Sequence, residues 1–244
     1  MIPAERKSEL LTLLEKEKSL TVEELAARIY VSPMTVRRDL KQLENEGFIR
    51  RKRGGAEIVE MNLASTSCFS YALRKTVNAG GKKRAAALAV RYIEPGQTIY
   101  LDSSSTVSFM AEHLTPAMGL TVVTNSPQLT ELLAEKGVNV CCTGGKYSEL
   151  GMAFFGPFAE NSAKHYRIDA MFFSARGIVP GDGIYDPGEE NVSLCRCFLE
   201  RAKRKYFLCD GDKIGKAYLF RVCSVKDVDR VICDVDEAFG EVTT

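Results

Sequence analysis

Apolar residues recur at helical spacing in three successive segments of the first sixty residues. A first helix is predicted over residues 4–17, with an apolar stripe of Leu10, Leu11, Leu13 and Leu14. The capping box Thr21-Val-Glu-Glu24 predicts the start of a second helix. Ser32 is placed to cap a third helix, with Pro33 at its first position, where a missing N–H costs nothing.

The third helix, predicted over residues 33–46, has two distinct faces. Val36, Leu40 and Leu43 are spaced to face a core. The remaining face is polar and carries Thr35, Arg37, Arg38 and Lys41. Asp39 departs from this basic pattern, and we expect it to pair with an arginine or to cap locally. After Gly47, the pair Gly54-Gly55 predicts a hairpin over residues 48–59.

Three short helices and a basic hairpin predict a winged helix-turn-helix, whose third helix has the length to enter a major groove. The net charge is only +1, and residues 1–60 hold 12 basic and 11 acidic side chains, so the positive charge is local. Residues 35–53 carry seven bases against three acids. A basic helix face can also be mere solvated surface, but the capped three-helix unit favours duplex DNA as the partner. The predicted DNA-binding residues are Ser32, Met34, Thr35, Arg37, Arg38, Lys41, Arg50, Arg51, Lys52 and Arg53.

The second half of the chain alternates short apolar strands with helices. This alternation predicts an α/β domain with a mainly parallel sheet. The predicted helices cover residues 82–93, 107–114 and 128–136, and the strands cover residues 98–101, 120–123, 138–142, 170–174, 205–209 and 231–233. We therefore divide the chain into a winged helix-turn-helix (1–59), a linker (60–79) with a short helical piece over 69–76, and an effector-binding and oligomerisation domain (80–244).

Small polar residues follow three successive strands. Ligands of open α/β sheets bind beyond the carboxyl ends of the strands, and N–H groups at a helix start suit an anion such as phosphate. Ordinary helix caps and turns use the same residue types, but three strand ends in a row favour a site. Its predicted residues are Asp102, Ser103, Ser104, Ser105, Thr106, Thr124, Asn125, Ser126, Gly144 and Gly145, with charge from Lys146, Arg176 and Lys213.

The segment Val31-Ser-x-x-Thr-Val-Arg-Arg-Asp-Leu40-x-x-Leu-Glu-x-x-Gly47, followed by Arg53-Gly-Gly-Ala56, resembles the signature of DeoR-type bacterial repressors. The resemblance continues through the second half. It implies a sensor domain related to sugar-phosphate isomerases, with a phosphorylated sugar or sugar derivative as effector. By resemblance, Gly177 and Asp210 join the effector site.

Three positions depart from the family pattern. The family usually has glycine where Ser104 stands. A lysine is usual in the helix after Glu189-Glu190, where the nearest candidates are Ser193, Cys195 and Arg196. The usual Thr-Asp pair near the C-terminus reads Cys233-Asp234.

The overall composition narrows the classes of protein to which the chain can belong. Hydrophobic residues make up 45% and charged residues 27% of the 244 residues, which is typical of a globular protein. Neither a signal peptide nor a membrane-spanning run is recognisable, so we expect a cytoplasmic location. The eight cysteines then are reduced thiols, mostly core residues, and their spacing with two histidines predicts no metal site.

Three functions remain open. The first is a repressor of a carbohydrate operon, acting as a homodimer or homotetramer, without cofactor or catalysis. The second is a sugar-phosphate isomerase with a DNA-binding extension, in which Asp102, Asp186, Glu189, Asp210 and Lys213 are acid–base candidates. The third is a DNA-binding protein whose second domain only oligomerises.

Overall fold

The structure, a computed structural model, describes residues 3–45, 49–58 and 71–235 and consists of two compact units, Met1–Val77 and Asn78–Thr244. The predicted linker over 60–79 stays a prediction, because residues 59–70 lie outside the described part. Of the predicted wing and reading helix, Glu46, Gly47, Phe48 and Val59 also lie outside it.

Unit 1 is a helical bundle with a small antiparallel sheet in the order β1-β3-β2. Its described elements are α1 (Pro3–Glu17), β1 (Ser19–Thr21), α2 (Val22–Arg28), α3 (Pro33–Asn45), β2 (Ile49–Lys52), β3 (Gly55–Ile58) and α4 (Tyr71–Thr76). The hairpin prediction is confirmed with one difference: its turn lies at Arg53-Gly54, and Gly55 belongs to β3. The sequence pattern missed β1, which is too short to show a period.

Local side-chain chemistry explains where the helices of unit 1 begin. Thr21 Oγ1 accepts from Glu24 N, and Glu24 Oε2 accepts from Thr21 N, so the predicted capping box is confirmed. Ser32 Oγ accepts from Thr35 N at 3.2 Å and caps α3, with Pro33 as its first residue.

Among the described residues of unit 1, the buried side chains are apolar apart from one ion pair. The predicted inward residues Val36, Leu40 and Leu43 are buried in one cluster with α1 and α2. Arg6 on α1 donates to Asp39 on α3, and both side chains are buried. The expectation that Asp39 pairs with an arginine is confirmed.

Unit 2 is built on six parallel strands in the order β14-β12-β9-β4-β5-β6. The strands of this sheet are β4 (Thr98–Leu101), β5 (Thr121–Thr124), β6 (Asn139–Cys142), β9 (Ile168–Phe173), β12 (Ala202–Cys209) and β14 (Arg230–Cys233). The α/β prediction with a mainly parallel sheet is confirmed.

Helices and smaller sheets surround the parallel sheet. The helices are α5 (Ala79–Ala89), α6 (Pro127–Glu135), α7 (Pro157–Ser162) and α8 (Glu189–Leu199), and short 3-10 helices include Val90–Tyr92, Val107–Glu112 and Gly211–Lys213. The strands β10 (Gly177–Val179), β11 (Gly183–Asp186) and β13 (Phe220–Ser224) form an antiparallel sheet, and β7 (Lys146–Ser148) pairs with β8 (Ala153–Phe155).

Side chains alternate between the two faces of the parallel sheet, as the period of two requires. On β4, Tyr100 packs in one apolar cluster, whereas Ile99 and Leu101 pack in the other. The ring of Tyr100 stacks on Phe198 of α8. The sheet is therefore covered on both faces, which leaves the strand ends as the accessible places for polar chemistry.

The helix predicted over residues 107–114 is present, two residues shorter and with 3-10 geometry, as Val107–Glu112. Serine side chains compete there with the backbone: Val107 N donates to Ser104 Oγ at 3.2 Å, and Ser108 Oγ donates to Ser105 O at 3.0 Å.

The cysteines depart partly from the core expectation. Cys195, Cys209 and Cys233 are buried, whereas others are only partly buried, namely Cys141, Cys142, Cys197 and Cys223. Cys68 lies outside the described residues. Within the described residues, no helix is long and apolar enough to cross a membrane.

Candidate functional site

The exposed face of α3 carries the predicted DNA-binding side chains. Arg37, Arg38 and Lys41 are exposed, and Met34 is 72% exposed. In the part of the chain that the structure describes, no carboxylate pairs with Arg38 or Lys41, whereas Arg37 lies 3.3 Å from Glu23. Arg38 and Lys41 therefore have their full charge available for phosphates or base edges.

Ser32 and Thr35 are occupied by the cap of α3. Besides the bond to Thr35 N, the two hydroxyls share a hydrogen bond of 2.9 Å. They position the start of α3, and Thr35 is half-buried.

The basic hairpin is exposed but partly neutralised. Arg50 and Lys52 of β2 both pair with Glu57 of β3. Arg51 lies 3.8 Å from Glu44, which also accepts from the backbone N–H of Arg51 at 2.9 Å. Arg53 is exposed at the turn. These ion pairs between exposed groups are weak and can be exchanged for phosphate contacts.

Sequence reasoning missed Tyr30, which lies in the turn between α2 and α3. Its side chain is 93% exposed and its backbone φ is 56°, a left-handed conformation that is uncommon for an aromatic residue. The available signal was a large aromatic side chain two residues before the predicted cap at Ser32.

In unit 2, the predicted loops meet at the carboxyl edge of the parallel sheet, and Asp102 ties two of them together. Its Oδ1 accepts from Ser104 N at 3.0 Å and from Ser104 Oγ at 2.5 Å, while its Oδ2 accepts from Ser174 N at 2.9 Å. Burial raises the pKa of Asp102 from 3.8 to about 6, against these hydrogen bonds. Asp102 thus fixes the loop after β4 to the end of β9.

Asn125 has a similar structural role after β5. Its Oδ1 accepts from the hydroxyl of Tyr100 at 3.2 Å, and its Nδ2 donates to Ser103 Oγ at 3.2 Å and to Phe154 O at 3.1 Å. Ser126 caps α6, and Thr124 accepts from Ser126 N at 3.1 Å. These residues frame the site and use most of their hydrogen-bonding groups internally.

Lys213 provides a largely buried cation at the same edge. Its ammonium donates to Ser174 Oγ at 2.7 Å and to Thr106 Oγ1 at 3.1 Å, and lies 3.9 Å from Asp210 Oδ2. Burial lowers the pKa of Lys213; the charge of Asp210 opposes this effect, and the charge of Arg176 adds to it. Two cations and two hydroxyls therefore share one region, an arrangement that suits an anion.

Asp210 faces this region with an oxygen that is not satisfied. Among the described residues, Asp210 Oδ2 is buried and has no hydrogen-bond partner. A buried acceptor of this kind is costly unless a donor is supplied. A hydroxyl group of a bound molecule would provide that donor.

Backbone geometry explains why the predicted site has glycine at three positions. Gly144 and Gly145 have φ of 66° and 119°, and a Cβ on Gly145 would lie 2.6 Å from Phe155 O. A Cβ on Gly177 would lie 2.1 Å from Lys216 O, so this glycine permits close packing of two backbone segments. Lys146 is exposed at the start of β7.

Ser174 was missed in the predicted site, although it accepts from Lys213 and follows β9 directly. The rule that located the loops after β4, β5 and β6 applies equally to β9 and could have found it. Within the described residues, no group of three or more His, Cys, Asp or Glu side chains could hold a metal ion.

Comparison with known proteins agrees with both halves of this description. Residues 6–62 match a family model described as a DeoR-like helix-turn-helix domain, and residues 77–235 match the DeoR C terminal sensor domain. The chain belongs to the DeoR family.

Its relatives in the family are transcription regulators. The chain is 33% identical to YulB, an HTH-type transcriptional regulator of Bacillus subtilis, over 96% of this chain and 90% of YulB. It is 33% identical to the L-fucose operon activator of Haemophilus influenzae, covering 92% and 89% of the two chains. It is 30% identical to the transcriptional repressor GlcR of Bacillus subtilis, covering 96% and 89%.

Solved structures are more distant. A D-ribose-5-phosphate isomerase in complex with phospho-erythronic acid is 18% identical over 55% of this chain and 52% of that chain, with a TM-score of 0.41.

The structure clarifies the departures from the DeoR pattern. Among the three candidates for the missing helix lysine, Cys195 is buried beside Asp102 and Asp186, whose charges add to the effect of burial in raising the pKa of its thiol. Arg196 instead donates to the backbone carbonyls of Arg221 and Val222. Ser193 is only partly buried. The thiol of Cys195 is therefore neutral and lies next to the carboxylates of Asp102 and Asp186.

Proposed function

We propose that this DeoR-family regulator represses a carbohydrate operon and is controlled by a phosphorylated sugar or sugar derivative bound at the carboxyl edge of the unit 2 sheet. The observation that carries the effector proposal is the placement of Lys213 near Arg176, with the hydroxyls of Thr106 and Ser174 beside it. A phosphate group would accept from the two cations and from the Thr106 hydroxyl, whereas the Ser174 hydroxyl donates to Leu208 O at 2.5 Å and helps to hold Lys213 in place. The unsatisfied oxygen of Asp210 would accept from a sugar hydroxyl.

DNA binding is assigned to the exposed face of α3 and to the hairpin. Arg38 and Lys41 are the proposed base or phosphate contacts of α3, and Arg50, Arg51, Lys52 and Arg53 contact the backbone or the adjacent minor groove. We add Tyr30, whose exposed ring lies close in sequence to the start of α3. Because helix-turn-helix proteins usually read paired half-sites, the active species is a homodimer or homotetramer. This function implies a cytoplasmic protein.

The DNA assignment is tested with an operator fragment selected by the wild-type protein from a random duplex pool. Arg38→Ala and Lys41→Ala should each weaken binding by about 1–3 kcal/mol. The matched control is Arg91→Ala, an exposed arginine of unit 2, which should bind like the wild type. Unchanged affinity in gel-shift titrations would remove Arg38 or Lys41 from the interface.

The effector assignment is tested by thermal shift with a panel of pentose and hexose phosphates, each paired with its unphosphorylated sugar. We expect stabilisation by at least one phosphate ester and loss of that response in Lys213→Met. Lys226→Met, at an exposed lysine, should respond like the wild type. If no phosphate ester stabilises the wild type, the reading in which unit 2 only oligomerises is favoured.

A catalytic role has less support. Both carboxylate oxygens of Asp102 accept hydrogen bonds from Ser104 and Ser174 and so serve to brace loops, and the relatives named above are regulators. Turnover of any pentose or hexose phosphate by the purified protein would overturn the assignment as a regulator without enzyme activity.

A further inference from the structure

The chain passes from unit 1 to unit 2 between Val77 and Asn78. Asn78 has a left-handed backbone, with φ 46° and ψ 42°, which asparagine tolerates better than most residues. The first residue of unit 2 therefore has a backbone conformation that most side chains disfavour.

The side chain of Asn78 holds this conformation through contacts on two sides. Its Oδ1 accepts from Gly81 N at 3.3 Å and so caps α5. Its Nδ2 donates to Asp212 Oδ2 at 3.2 Å and to Asp210 Oδ1 at 3.4 Å. Asn78 thus connects the first turn of α5 to the loop that follows β12.

A second set of contacts joins α5 and the loop after β12 to the end of β14. Asp234, after β14, accepts from Gly211 N at 2.8 Å and from Arg84 at 2.7 Å. A Cβ on Gly81 would lie 2.5 Å from Asp234 Oδ2, so glycine is needed there for α5 to approach Asp234 this closely. The start of unit 2 is therefore fastened to the two loops that carry Asp210 and Asp234.

Asp210 belongs both to this junction and to the proposed effector site. One of its oxygens contacts Asn78, and the other is the unsatisfied oxygen 3.9 Å from the Lys213 ammonium. Hydrogen bonds of 3.2–3.4 Å are long. A ligand that rotates or shifts the Asp210 carboxylate would exchange them at small cost.

We propose that the Asn78–Asp210 contact couples occupancy of the unit 2 site to the conformation of the chain at the junction, and through it to DNA affinity. The identity of the effector rests on the function proposed above, but the coupling does not. Coupling of this kind requires that both sites bias the same two-state element, which here is the junction at Asn78.

The test is a double-mutant cycle on operator affinity without any effector. Asp210→Ala should change the operator Kd by about fivefold or more in the wild-type background. In the Asn78→Gly background, which keeps the left-handed backbone but lacks the amide, the same substitution should leave Kd unchanged. Asp229→Ala, at an acid that pairs with Arg204, is the control and should leave Kd unchanged in both backgrounds.

A second variant guards against loss of the helix cap. Asn78→Asp keeps an acceptor for Gly81 N but places a carboxylate against Asp210 and Asp212, and it should reproduce the effect of Asn78→Gly. An effect of Asp210→Ala that is absent, or equal in both backgrounds, would overturn the coupling.

A further experiment with phosphate esters distinguishes the coupling proposal from the effector proposal. If a phosphate ester changes the operator Kd of the wild type, Asn78→Gly should still bind that ester in a thermal shift but lose its effect on operator Kd. If no ester binds the wild type while the cycle shows coupling, the effector proposal fails and the junction proposal stands.

Discussion

The two units use polar side chains in opposite ways. On α3, the candidate side chains Arg38 and Lys41 point into solvent and contribute little to the fold. At the carboxyl edge of the unit 2 sheet, Asp102 and Asn125 are buried and spend their hydrogen-bonding groups on neighbouring loops. Substitutions in the first set should change binding with little change in stability, whereas those in the second set should change stability first.

Asp39 breaks this comparison most strongly, because it lies on the DNA-binding helix and yet is buried. Asp39→Ala removes the carboxylate that the buried Arg6 guanidinium faces. We expect a loss of about 3–5 kcal/mol in the free energy of unfolding, measured by urea denaturation. The double variant Arg6→Met with Asp39→Leu should recover most of it, and a loss below about 1 kcal/mol for Asp39→Ala would contradict this account.

The pH dependence of the unfolding free energy tests the buried role of Asp102. Burial raises its pKa from 3.8 to about 6, so between pH 4 and 6 the folded protein holds a proton that the unfolded chain has lost. Stability therefore falls as pH rises through this window, by up to about 3 kcal/mol for a shift of this size. The unfolding free energy of the wild type minus that of Asp102→Asn should decrease from pH 4 to pH 7; a flat difference would show that the carboxyl is not perturbed.

Gly144 and Gly145, in the loop after β6, distinguish the energetic cost of a left-handed backbone from the cost of a steric clash. Both have positive φ, but a Cβ meets nothing within 4 Å at Gly144, while at Gly145 it lies 2.6 Å from Phe155 O. Gly145→Ala should cost about 2–3 kcal/mol of unfolding free energy and Gly144→Ala about 1 kcal/mol. Equal costs in a thermal or urea unfolding series would mean that the backbone conformation alone matters.

Substitution of Arg51 is expected to have the smallest effect. It tests whether an exposed basic side chain of the hairpin contributes to DNA binding. Arg51→Ala removes a charge that is already shared with Glu44. The slope of log Kobs against log salt for operator binding should fall by about one, with little change in sequence preference. Lys203→Ala, a lysine of unit 2 that pairs with Asp169, should leave the slope unchanged.

The sequence predicted an element correctly where its pattern was complete within a few residues, and missed elements that were too short to show a pattern. The capping box at Thr21 and the three apolar residues of β4, Ile99 to Leu101, are complete local signals, and the structure has both elements at those residues. Strands such as β7 and β10 have only three residues, too few to show a period of two. The 3-10 geometry of Val107–Glu112 depends on serine hydroxyls bonded back to the backbone, which no periodicity reveals.

The site was less predictable than the fold, because residue type does not show how a side chain is used. Asp102 and Asn125 follow strands as a binding loop would, and only the structure shows that they brace their neighbours. Asp210 could be named only from the family resemblance, and its unsatisfied oxygen depends on packing from several elements. Ser174 could have been found by extending the strand-end rule to β9.

The strand order of unit 2 also has a kinetic consequence. The central strand β4 pairs with β9, where Ile99 lies opposite Ala170 and Leu101 opposite Phe172. During synthesis, β4 must wait until about seventy more residues have been translated. In unit 1, the pairs of β2 with β3 span only a few residues and those of β1 with β3 span about 35, so the sheet of the DNA-binding unit can close while β4 still lacks β9. Because distant pairings slow folding, a nascent chain would hold a finished winged helix well before it holds a finished sensor.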